Sequence, residues 1–97
     1  MFNLKTNIIM KKINFSEIKF RPNLFAEPAP IDDINKQLAN ALWQNKDIAA
    51  GRLALKLFDN PEIEVNDQEK GYIKEALGNF YQWVKQPVLE ALGEKAE

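Results

Sequence analysis

Between Ile13 and Phe20 apolar and polar residues alternate, but Ile13 and Phe15 fall one step out of phase with Ile18 and Phe20. A period of two marks a strand with one buried side. A bulge near Ser16-Glu17 is predicted to bring both pairs onto the same face. Glu62-Ile63-Glu64-Val65 repeats the alternation in a shorter form, with Ile63 and Val65 inward and the two glutamates outward. The segments at 13–20 and 62–65 are expected to pair, and because a two-stranded ribbon is marginal in water, to lie under helices.

Elsewhere the apolar spacing is helical. Ile34, Leu38, Ala41 and Leu42 form a stripe that predicts a helix over 32–45. Asp32 or Asp33 is expected to cap it, since a short carboxylate accepts orphan backbone N–H groups. A second helix, over 47–58, distributes Ile48, Ala50, Leu53, Ala54, Leu55, Leu57 and Phe58 around most of its circumference. Only Arg52 and Lys56 are left wet, so it is predicted to be the buried centre of the fold. Asp59-Asn60-Pro61 reads as a turn. Asn66, with Glu69 three residues on, reads as a capping box opening a long helix over 67–86 that carries Ile73, Ala76, Leu77, Phe80 and Val84. Pro87 is expected to end it, with a further short helix over 88–93.

Pro22, Pro28 and Pro30 deny backbone donors to the stretch 21–30, which reads as an extended connector with Leu24 and Phe25 tucked against the core. The fold class that follows is α+β, a short two-stranded sheet packed under three to four helices. A single domain over 10–93 is expected, with an upstream extension at 1–9 and a frayed tail at 94–97.

Composition narrows the chemistry. The 97 residues include no histidine or cysteine, one serine (Ser16) and one threonine (Thr6). The side chains that most often attack a substrate, shuttle a proton near neutrality or grip a transition metal are therefore missing or nearly so. A protein without enzymatic activity and without a cofactor is the expectation. Without cysteine there is no disulfide framework, and no stretch approaches the roughly 20 apolar residues of a membrane span. A cytoplasmic setting with no membrane partner is expected.

Net charge is −1, too balanced to predict bulk attraction to nucleic acid. Its distribution is polar, from +3 over residues 1–27 through +1 over 28–58 to −5 over 59–97, which suits an oriented partner or head-to-tail association.

Among constellations, Asp32/Asp33 and Glu62/Glu64 supply paired carboxylates of the kind a glycoside hydrolase divides between acid and base. A helix cap and the wet side of a strand account for them better. Lys5, Lys11, Lys12, Lys19 and Arg21 with Phe15 and Phe20 suggest the alternative of a small nucleic-acid-binding regulator. Alternation, however, turns both phenylalanines inward. The aromatic residues make the stronger case for contact with a protein or a second copy of the chain. Trp43 falls off its helix stripe, and Tyr72 and Trp83 are expected to share a shoulder of the long helix, with Lys36, Arg52 and Lys56 orienting the partner.

The runs Met10-Lys-Lys-Ile-Asn-Phe-Ser-Glu-Ile, Asp33-Ile-Asn-Lys-Gln-Leu-Ala-Asn-Ala-Leu-Trp-Gln and Glu62-Ile-Glu-Val-Asn-Asp-Gln-Glu-Lys resemble small proteins encoded by prophages and other bacterial mobile elements. What the resemblance implies is a cytoplasmic accessory factor of such an element, with no catalytic residues to carry over.

Overall fold

A computed structural model describes residues 10–93; the expected extension at 1–9 and tail at 94–97 lie outside the described residues. Four strands and four helices follow in the order β1 (Lys11–Asn14), β2 (Lys19–Phe20), β3 (Ala29–Pro30), α1 (Ile34–Trp43), α2 (Ile48–Asp59), β4 (Glu62–Val65), α3 (Asp67–Leu77) and α4 (Gln82–Ala91). The class is α+β.

β1 and β4 pair antiparallel, with Ile13 opposite Ile63 and Lys12 opposite Glu64. Ile63 and Val65 point into the core and Glu62 and Glu64 into solvent, as their alternation predicts. The phase change after Phe15 is made by a turn of 3-10 helix, Phe15–Glu17, and not by a bulge. Its cause is local: Asn14 Oδ1 accepts from the Ser16 N–H at 3.0 Å and caps the turn. Phe15 and Phe20 are thereby both buried, and Ile18 half-buried. Beyond the turn the chain leaves β4 altogether. β2 pairs instead with β3 at the end of the connector, Phe20 lying opposite Ala29.

The connector corrects a second expectation. Leu24 is 81% and Phe25 99% exposed, so neither is tucked against the core. An Asx turn from Asn23 Oδ1 to the Phe25 N–H (3.0 Å) and a bond from Arg21 Nη2 to the Leu24 carbonyl (2.6 Å) hold this tip with both apolar side chains outward.

α1 buries Ile34, Asn35, Leu38, Ala39 and Leu42, and packs against α2, α3 and the 3-10 turn. Asp33 stands at its N-cap position, but the expected cap bond is absent, and Asp33 Oδ1 accepts from Gln37 Nε2 (3.0 Å) instead. Asn35 is buried with its amide donating to the Leu57 carbonyl at 2.8 Å. The Leu57 carbonyl also accepts from the Asn60 N–H (3.2 Å), and with the Asn35 amide paired at this open end of α2 a polar side chain costs little inside the core. α1 holds the central position that the sequence predicts for α2. On α2 only Ala50, Leu53, Ala54 and Leu57 are buried.

The long helix expected over 67–86 is two helices. Asn66 and Glu69 do form the reciprocal capping box that opens α3. The break comes at Gly78-Asn79-Phe80, weak helix formers, where the Phe80 N–H closes a turn onto the Leu77 carbonyl (2.9 Å). α4 then continues through Pro87 without ending there. The ring removes the donor for one carbonyl, that of Trp83, while Val84, Val88 and Leu92 keep a buried stripe at intervals of four residues. Gly93 follows at φ 85°, a left-handed position that suits glycine after a helix end.

Candidate functional site

α2 carries two apolar stripes. The inner one is Ala50, Leu53, Ala54 and Leu57; the outer one is Ile48, Gly51, Leu55 and Phe58, spaced i, i+3, i+7, i+10. At 100° per residue the stripes lie roughly 130° apart, too far for one neighbour to cover both. α1 takes the inner stripe. Ile48 therefore stays 73%, Leu55 57% and Phe58 47% exposed.

α1 contributes a matching row. Lys36, Asn40 and Trp43 recur at i, i+4, i+7 on the side away from its buried residues. Trp43 is 57% exposed. Its ring lies over Gly51, where an added Cβ would sit 3.7 Å from Cζ3, so the tryptophan rests on the bare backbone of α2. A hollow opens on either side of it. One, of about 240 Å³, is walled by Asn40, Trp43, Leu55 and Phe58. The other, of about 350 Å³, is walled by Trp43, Lys46, Ile48, Arg52 and Leu55.

The rim of this face is cationic. Lys36 Nζ stands 5.1 Å from the centroid of the Phe58 ring, a cation–π arrangement, and Lys46 and Arg52 border the second hollow. Asp47 also borders it, but both its oxygens are engaged: Oδ1 accepts from the Ala49 N–H (2.9 Å) and caps α2, and Oδ2 accepts from the Tyr72 hydroxyl (2.5 Å). The Tyr72 bond, and after it the Ala49 bond, holds the Asp47 carboxyl below its usual range. The same bond to a carboxylate pushes the Tyr72 phenol up.

Other residues singled out in the sequence go elsewhere. Tyr72 is half-buried and, with the Asn45 amide donating to Glu75 Oε1 (3.0 Å), clamps α3 to the α1–α2 turn. Trp83 does not share its shoulder, because the break at Gly78 puts it on α4, where it stacks on Tyr81 with centroids 6.0 Å apart. There it walls a separate groove beneath the connector, opposite Arg21, Leu24 and Pro28. Lys56 is tied down as well, pairing with Glu69 Oε2 (3.1 Å) and donating to the Glu64 carbonyl (3.3 Å). Of the residues predicted to bind a partner, Trp43, Lys36 and Arg52 come together on one face. Ile48, Leu55 and Phe58, expected in the core, complete it; their separate spacing on α2 is the signal that sets them apart.

One member of each carboxylate pair singled out in the sequence is engaged by a neighbour. Glu62 pairs with Lys12 (3.5 Å) and Asp33 with Gln37. Among the described residues no group of three histidine, cysteine or acidic side chains is placed to hold a metal ion. Among the same residues no helix is long and apolar enough to cross a membrane. No family model, curated protein or solved structure matches the chain.

Proposed function

We propose that this protein is a non-enzymatic interaction module that binds another protein through the outer face of α1 and α2. The observation that carries this reading is the second apolar stripe of α2, left open beside the exposed Trp43 and bordered by Lys36 and Arg52. Tryptophan with neighbouring arginine is the composition that dominates interface energy, and a contiguous apolar face with a charged rim is the usual form of a docking surface. As an accessory factor of a phage or mobile element, the chain would act by holding a partner and not by turning over a substrate. The nucleic-acid reading loses its stacking platform, since Phe15 and Phe20 are both buried.

The test is quantitative affinity purification from the native host at modest salt, comparing the unaltered chain with Leu55→Glu. A defined polypeptide retained by the first and released by the second is the expected result. Equal retention by both removes the face from consideration, and retention of nucleic acid that declines steeply with salt replaces the reading.

A further inference from the structure

Resting on that reading, we infer that the occupant of this face is an acidic amphipathic helix of a partner protein, seated along α2 with one apolar side chain on each side of Trp43. Three observations define it. The outer stripe Ile48, Gly51, Leu55, Phe58 has the spacing of a helix seam, and at 1.5 Å per residue it is roughly 15 Å long, about three turns. The α2 residues walling the two hollows are centred about four residues apart, roughly 6 Å, which is the rise between positions i and i+4 of a facing helix. The hollows thus take a pair of anchors one turn apart.

Charge decides what surrounds the anchors. Lys36, Lys46 and Arg52 border the face against one carboxylate, Asp47, which stays ionised and is held by the Tyr72 hydroxyl and the Ala49 N–H, so cations exceed anions on the rim by three to one. Neither Lys46 nor Arg52 has an ion-pair partner among the described residues. Carboxylates flanking the anchors complement such a rim, whereas basic flanks are repelled. The same rim disfavours a second copy: a two-fold contact through this face brings together two rims that each carry three cations and only one carboxylate.

The experiment is selection of a displayed library of helical peptides, with anchor spacing and flanking charge both varied, against the full-length chain. Enriched peptides are then titrated by fluorescence anisotropy against the unaltered chain, Trp43→Ala and Arg52→Glu. The expected winners carry an i, i+4 pair of large apolar residues flanked by Asp or Glu. Their affinity should fall at least about tenfold with Trp43→Ala. It should fall roughly three- to tenfold with Arg52→Glu and recover when the peptide flanks are changed to lysine. Enrichment of neutral, basic or non-helical peptides that Trp43→Ala still releases overturns the acidic helix and leaves the docking face standing. Enrichment of nothing that depends on Trp43 overturns both. A dimer in sedimentation that Leu55→Glu dissociates assigns the face to a second copy and overturns the inference.

Discussion

At the scale of single residues, the Asp47–Tyr72 bond sets the relation between α3 and the α1–α2 turn, and its pH dependence has a definite sign. The Asp47 pKa is lowered in the folded chain, so its contribution is in force above the unfolded value near 3.8 and is lost as pH falls through the depressed one. The Tyr72 pKa is raised, so the folded state holds that proton longer, and its contribution is lost as pH rises from 10 through the raised value. Stability measured by urea unfolding across pH should therefore fall at both ends. In Tyr72→Phe the alkaline loss due to this group disappears. The acid loss shrinks but persists, because the Ala49 N–H still favours the carboxylate. An unchanged pH profile in Tyr72→Phe would show that the bond does not operate in solution.

At the scale of elements, the connector tip and the two faces of α2 show what a pattern of hydrophobicity conveys and what it does not. Phe25 is in solvent, so Phe25→Ala should change the urea unfolding free energy by less than about 0.5 kcal/mol, where a buried phenylalanine would cost about 3–5 kcal/mol. β4, the capping box at Asn66 and Glu69, and the inward Phe15 and Phe20 were legible because each rests on neighbours in sequence. The turn after Asn14 was not, since period-two alternation with a slip is met equally by a bulge or by a 3-10 turn. Pro87 drew the helix break away from Gly78-Asn79, because a missing donor is easier to see than a weak propensity; tertiary burial of Val84, Val88 and Leu92 outweighed it. The site was half legible. Trp43 stands out by its phase, but seven apolar residues on α2 read as one buried circumference in the sequence, because which stripe α1 covers is set by tertiary packing.

At the scale of the whole molecule, one core takes side chains from β1, β2, β4 and every helix, and it closes without the outer stripe of α2. Ile48, Leu55 and Phe58 are therefore not part of that core. Carrying such residues on the surface has a cost in solubility, which the proposed docking role would offset. The amino-terminal and carboxy-terminal charge excesses, +3 over residues 1–27 and −5 over 59–97, lie outside the segment that forms this face. On the proposed reading, it is the local cations Lys36, Lys46 and Arg52, and not the net charge of −1, that would select the partner.

The most direct measurement is the urea unfolding free energy of Leu55→Ala beside Leu53→Ala, the same deletion on the same helix on its two stripes. Leu53 is 1% exposed and its loss should cost about 2–5 kcal/mol. Leu55 should cost less than about 1 kcal/mol. Equal, large losses would mean that the outer stripe belongs to the chain's own core, and the docking face would not exist.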